Sequence, residues 1–238
     1  MSSLNRPVVT ATRLMSQRMK PFIGSGHGPE HCMVVWKHAL KALYEEPDLS
    51  GDQRLAVELG ALLHEVDDHK LFSDGGCLDE ILTQSLPSSH HHIIPWVKRM
   101  VELVPCSSNG NHIGDEPHWY YIPRDADRIE ANGAIGILRW YKHNQTTKQP
   151  LYLPTTPRAT TVEELYAIAT PERFARYSQG GQSESGMDHF YDKLLHLNHI
   201  ASGNSYLKEA MAGRHKVVED YALGFGRLGE LPYIPSDK

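Results

Sequence analysis

The stretch Ala61-Leu62-Leu63-His64-Glu65-Val66-Asp67-Asp68-His69-Lys70 gathers imidazole, carboxylate and ammonium groups directly behind an apolar run. Such a set can ligate a divalent cation, orient a water and neutralise phosphate charge. On a helix, residues three and four apart share a face, so His64 is expected to line up with Ala61, Asp67 and Asp68. The run Leu55 to Leu63 is apolar almost all round, which suits a helix buried in a larger core. Polar groups are costly to bury unless paired or coordinated. A His-Glu pair at the end of such a helix therefore needs a partner, and a cation is the most economical one. The competing reading is a solvated helix end with chance charges.

Two further groups fit the first reading. His27-Gly28-Pro29-Glu30-His31 precedes Cys32 to Leu43, whose apolar residues at 32, 35, 36, 39, 40 and 43 repeat with a helical period. The helix is expected to start at about Pro29, since proline is tolerated in a first turn. His31 is then fixed on it as a ligand candidate, while His27 is either a plain loop histidine or a phosphate contact. In Tyr121 to Leu138, Ala126, Ile129, Gly133, Gly136 and Ile137 form a stripe of small and apolar residues. Glycine in mid-helix costs roughly 1 kcal/mol, so the two glycines predict close helix–helix contact. Asp127 sits at the helix entrance beside Arg128, and carboxylate next to guanidinium suits a metal and a phosphate bound side by side.

The elements around these groups are less regular. Residues 1–21 are read as an N-terminal helix, and His90-His91-His92 lead into an amphipathic helix over 93–104. A triple histidine resembles a metal tract, although histidines at a helix start are commonly solvent-exposed. Cys106 to Asn111 is a polar loop able to approach a substrate. A loop and short-helix insert at about 142–186, rich at first in Thr and Pro, is expected to close over substrate. Lys193, in an otherwise aromatic and apolar helix, either meets phosphate or snorkels to the surface. The last helix is read over 206–223, with a C-terminal tail at 226–238.

Composition narrows the classes. With 238 residues, 40% hydrophobic and 22% charged, the chain reads as an ordinary globular protein with one substantial core. A formal net charge of -5 provides no basic field for duplex nucleic acid. The three cysteines, Cys32, Cys77 and Cys106, are widely spaced, which argues against a disulfide framework and a thiolate zinc site and for a reducing, cytoplasmic setting. No apolar stretch nears the roughly 20 residues that span a bilayer, and no signal-peptide pattern is visible. No membrane association is expected.

Helix-borne His31, then Leu63-His64-Glu65, then Asp127-Arg128 resembles the H…HD…D signature of the HD superfamily of metal-dependent phosphohydrolases. The finer pattern is similar to small single-domain bacterial HD hydrolases that cleave (deoxy)nucleoside triphosphates. It includes Arg124-Asp125-Ala126-Asp127-Arg128-Ile129-Glu130-Ala131, Phe190-Tyr191-Asp192-Lys193-Leu194-Leu195 and Ala212-Gly213-Arg214-His215, and it spans about residues 22–225. The resemblance implies an all-α, single-domain HD-type bundle of roughly nine to eleven helices. It implies His31, His64, Glu65 and Asp127 as metal ligands, an N/O set suited to Mn2+ first and also to Fe2+, Mg2+, Co2+ or Ni2+. Asp68, Lys70 and Glu65 would carry catalysis, with Asp68 as general base or water-orienting group. His27, Lys70, Arg128 and Lys193 would bind substrate, Arg128 also bracing the metal-binding Asp127.

One departure stands out. The family has Asp where this chain has Glu65, whose extra methylene moves the carboxylate by about 1.5 Å, roughly one bond length. Asp67 and Asp68 are nearby alternatives. The expected substrate is a small-molecule nucleotide, cleaved to monophosphate and pyrophosphate, in an enzyme that is free to form a homo-oligomer. Two other readings stay open: a di-iron oxygenase of the same fold drawing on His90, His91 and His92, and a nucleotide- or metal-binding module impaired by Glu65.

Overall fold

The structure, a computed structural model, describes residues 5–69, 71–73 and 76–234. Among them are twelve α-helices and no strand: α1 Asn5–Arg18, α2 Pro29–Tyr44, α3 Gly51–Leu63, α4 Leu78–Ser85, α5 Ile94–Leu103, α6 Cys106–Asn109, α7 Ile122–Glu130, α8 Gly133–Thr147, α9 Val162–Ile168, α10 Pro171–Ser178, α11 Gly186–Asp192 and α12 Ser205–Leu228. The class is all-α, with more helices than the nine to eleven expected. No described helix is long and apolar enough to cross a membrane.

The count rises chiefly because one expected helix is two. The chain breaks between α7 and α8, where Asn132 is extended and Gly133 takes φ +73°, a left-handed conformation that glycine adopts without strain. A Cβ on Gly136 would run into the carbonyl of Ala131, so this glycine lets the new helix start tightly against the old one. The predicted helix–helix contact exists at Gly133, where a Cβ would lie 3.1 Å from Cγ of Arg214 on α12.

The described residues fall into two compact units, each assembled from three separate stretches. The first comprises Met1–Val104, Ile113–Asp127 and Ala201–Leu207. At its centre is α3, against which α1, α2 and α5 pack. Ser50 starts α3 with a capping box: its Oγ accepts from the Gln53 amide while the Gln53 side chain accepts from the Ser50 amide. Every residue from Leu59 to Leu63 is buried, the all-round burial its composition demands. A Cβ on Gly60 would sit 3.1 Å from Met100 of α5, so this glycine sets the close approach of the two helices. The stretch Ala201–Leu207 is tied into the unit by Asp125, whose carboxylate accepts from the amides of Ala201 and Ser202 at 3.2 and 2.7 Å. Asn204 donates to the Ala42 carbonyl at 3.0 Å.

The second unit comprises Pro105–His112, Arg128–Ile200 and Lys208–Lys238. Its core is aromatic: Phe190 meets Trp140 edge-on at 5.0 Å and stacks on Tyr221 at 5.4 Å. The Thr- and Pro-rich segment read as a loop excursion is packed rather than loose. Ala159 is fully buried, Thr156 donates to Asp188 at 3.0 Å, and Tyr191 donates to the Pro157 carbonyl at 2.9 Å. The last helix overruns its expected end because Phe225 is buried and Gly226, where a Cβ would strike the Ala159 carbonyl, lets the helix pass that segment.

Candidate metal centre

Three elements of the first unit deliver the site. Helix α2 carries His31 in its first turn, after Gly28 as N-cap and Pro29. Helix α3 ends at Leu63, so His64 and Glu65 lie in the turn that follows and not on a helical face. Helix α7 carries Asp127. The expected alignment of His64 with Asp67 and Asp68 is therefore corrected. Past the helix end the chain turns, and Asp67 faces α4, where its Oδ1 accepts from the amides of Cys77 and Leu78 at 2.6 and 3.0 Å. Asp67 is a helix cap.

The donor atoms converge. Nε2 of His31 lies 3.1 Å from Oδ1 of Asp127 and 3.2 Å from Nε2 of His64. His64 Nε2 is 3.8 Å from the same Asp127 oxygen, and Glu65 Oε1 is 3.6 Å from both imidazole nitrogens. A divalent ion held at about 2.1 Å separates neighbouring donors by about 3.0 Å at right angles and about 3.4 Å in a tetrahedron. The spacings here, 3.1 to 3.8 Å, lie within about 0.4 Å of those values, so the residues fit such an ion. Nδ1 of His64 donates to the Ala61 carbonyl at 2.8 Å, which turns the lone pair of Nε2 toward His31. Two imidazole nitrogens so close repel unless a proton or cation lies between them. Among the described residues, Glu65 Oε2 is buried without a hydrogen-bond partner, a need that a cation would meet.

Charge follows the same pattern. Burial opposes a proton on His64, but attraction to Glu65 and Asp127 outweighs it and raises the pKa above the ordinary imidazole value. Burial would lift the Glu65 carboxyl, yet His27 and His64 together hold it well below the usual carboxylate range. Cys32, next to His31, is buried beside Glu65 and Asp127, and burial followed by those two charges pushes its thiol far up. It remains a thiol and supplies no thiolate ligand.

The remaining candidates are dispersed. His27 Nδ1 lies 3.0 Å from Glu65 Oε1, with 40% of its side chain exposed. Asp68 follows in the same turn with its side chain 22% exposed. Lys70 lies outside the described residues. Arg128 belongs to the second unit and is buried there, donating to Asn111 Oδ1 at 2.8 Å, to the His199 carbonyl at 3.4 Å and to the Gly110 carbonyl. These contacts make Arg128 a brace, as expected over a phosphate contact, but on Gly110, Asn111 and His199 rather than on Asp127, and they hold the loop that was read as approaching substrate. Lys193 is not inside a helix but just past α11, its Nζ 5.6 Å from the ring centroid of Tyr177.

The triple histidine is in the first unit but away from the metal-competent cluster. His92 Nε2 lies 2.8 Å from Asp52 and His90 Nε2 3.6 Å from it, while His91 contacts the Leu86 carbonyl at 3.2 Å. Asp52 is in the first turn of α3 and His64 just past its end, about 18 Å apart at about 1.5 Å per residue. These histidines are too far to complete a di-iron site with His31 and His64, and that alternative loses the ligands it required.

No family model matches the chain. It is 40% identical over 220 residues to uncharacterized protein L803 of Acanthamoeba polyphaga mimivirus, covering 84% of this chain and 88% of that one. A solved HD-superfamily hydrolase from Bacillus thuringiensis superposes with a TM-score of 0.63 at 20% identity, over 95% of this chain and 98% of that one. Bacillus subtilis YpgQ, solved in complex with ADP, superposes with a TM-score of 0.65 at 18% identity, over 99% and 100% of the two chains. At these identities the likeness concerns the fold.

Proposed function

We propose that this chain, which belongs to the same family as mimivirus protein L803 and has an HD-type fold, is a divalent-metal phosphohydrolase acting on nucleotides. The observation that carries the reading is the convergence of His31, His64 and Asp127, whose ligand atoms all lie within 4.8 Å of one another, with Glu65 Oε1 beside them. Glu65 thus keeps its oxygen among the donors despite the longer side chain, which favours a working site over an impaired one. Two nitrogens and two oxygens suit Mn2+ first, with Fe2+, Co2+, Ni2+ and Mg2+ as further candidates.

When bound, such an ion lowers the pKa of a coordinated water and polarises a phosphoryl oxygen. The chain's own residues supply the rest. His31 and His64 would hold the ion through their Nε2 atoms, and the Ala61 carbonyl fixes the His64 ring. Asp68 orients the attacking water and takes its proton. From the sequence, Lys70 would offset phosphate charge, while Arg128 is engaged by Asn111 and by the Gly110 and His199 carbonyls. Water adds to the α-phosphorus of a (deoxy)nucleoside triphosphate, the bond to the bridging oxygen breaks, and pyrophosphate leaves. The ADP held by YpgQ supports a nucleotide as ligand class for this fold.

The test is metal analysis of purified protein followed by a nucleotide panel with Mn2+, read as pyrophosphate release, in wild type and His64→Ala. Wild type is expected to hold about one equivalent of metal and to release pyrophosphate, and the variant to do neither. Wild-type protein that takes up no metal, or activity that survives in His64→Ala, refutes the proposal.

A further inference from the structure

We propose that His27 is a positioning residue that clamps Glu65 in the metal centre, so that the glutamate and the histidine work as one unit; this rests on the metal-site reading above. The observation is the contact itself: Nδ1 of His27 lies 3.0 Å from Oε1 of Glu65, the oxygen that also faces His31 and His64. Glutamate has one more rotatable bond than aspartate, so a ligand of this kind is freer to leave the site. A hydrogen bond from outside the ligand set removes that freedom, as ligand-orienting partners do in metal sites generally.

The loop that carries His27 is built to hold the ring there. Gly24 and Gly26 take φ +78° and +87°, and the Gly24 amide donates to Glu30 Oε1 of α2 at 2.7 Å. Ser25 Oγ donates to the Phe22 carbonyl at 2.7 Å and accepts from the His27 amide at 3.2 Å. At Gly28 there is no room for a side chain, because a Cβ would lie 2.5 Å from both the Phe22 carbonyl and the Glu30 carboxylate. The loop is thus fastened to the first turn of α2, the turn that bears His31. One short segment therefore places a ligand by its helix and steadies another by its loop. The second Glu65 oxygen, buried and without a hydrogen bond among the described residues, is carried by the same clamped carboxylate.

The experiment is Mn2+ affinity by calorimetry, without substrate, for wild type, His27→Ala, His27→Asn, Glu65→Asp and the double variant His27→Ala/Glu65→Asp. His27→Ala is expected to weaken binding roughly 10- to 100-fold. His27→Asn, which keeps a donor, recovers part of that loss. In the Glu65→Asp background the shorter carboxylate is out of reach of the ring, so removing His27 costs less than about twofold. Cu2+ paramagnetic resonance counts the coordinated nitrogens, expected unchanged between wild type and His27→Ala. Equal affinity of wild type and His27→Ala, an equal loss in both backgrounds, or a nitrogen lost from the Cu2+ spectrum overturns the proposal. If His27→Ala fails to fold, the His27→Asn affinity and spectrum decide. If His64→Ala abolishes binding and His27→Ala does not alter it, the metal reading stands and only this inference falls; wild type without metal removes both.

Discussion

Nδ1 of His64 donates to the Ala61 carbonyl at 2.8 Å, and its Nε2 faces Nε2 of His31 at 3.2 Å. The helix end thus spends a free carbonyl on fixing a ring, and the ring presents its lone pair to a second imidazole. Substituting either histidine removes a nitrogen donor from a set of four. His31→Ala and His64→Ala are each expected to lower Mn2+ affinity by more than about 100-fold, beyond the loss typical of an outer-shell partner. Equilibrium dialysis with elemental analysis reads this directly. A chelator should mimic the variants in the wild type, with Mn2+ restoring pyrophosphate release.

Protons and metal compete at His64. Its pKa is raised in the folded protein without metal, against the opposition of burial, by Glu65 and Asp127. The charged ring therefore contributes stability that is fully present below the unfolded value, about 6.5, and is lost as pH rises through the raised folded value. Metal needs the neutral ring. The stabilisation by saturating Mn2+, read as the shift in melting temperature, is expected to grow with pH over that window and to shrink below it. A shift independent of pH counts against His64 as a ligand.

The second unit has the opposite pH response. His196 and His215 are both depressed, chiefly by burial. A depressed imidazole contributes stability that is present above the unfolded value of about 6.5 and is lost as pH falls toward the folded value. Denaturant unfolding followed by Trp140 fluorescence should show a falling midpoint below about pH 6.5, and His215→Gln should flatten that fall.

Arg128 is 2% exposed, with its guanidinium on the Gly110 and His199 carbonyls and on Asn111. Arg128→Ala leaves those acceptors buried without donors and is expected to destabilise the protein by roughly 3 kcal/mol, within the range for charged hydrogen bonds. Urea titration measures it. If Arg128 instead bound phosphate, the variant would keep its stability and raise KM.

Gly133 holds φ +73° at the junction of α7 and α8, with Arg214 at 3.1 Å from where a Cβ would stand. Gly133→Ala is expected to cost about 1–2 kcal/mol from the left-handed backbone, visible as a lowered urea midpoint. An unchanged midpoint would mean that the junction relaxes.

Local chemistry determined much of this protein by itself. The helical period after Pro29, the all-round apolar run before His64 and the stripe after Asp127 located α2, α3 and α7 and the side chains that each presents. These signals depend on neighbours within a few positions, where helix geometry sets which residues share a face. Tertiary structure decided the rest. The helix break at Ala131–Asn132 came with an extended Asn132 and a left-handed Gly133, and Gly136 without a Cβ lets the next helix start against Ala131. Asp67 became a cap because α4 begins beside it, Arg128 became a brace because three distant acceptors surround it, and His90 and His92 went to Asp52 at the far end of α3. The pairing of His27 with Glu65 joins residues 38 positions apart and leaves no periodic trace. Such choices depend on which groups folding brings within hydrogen-bond reach, and a buried polar group takes whichever partner packing supplies, because remaining unpaired is costly.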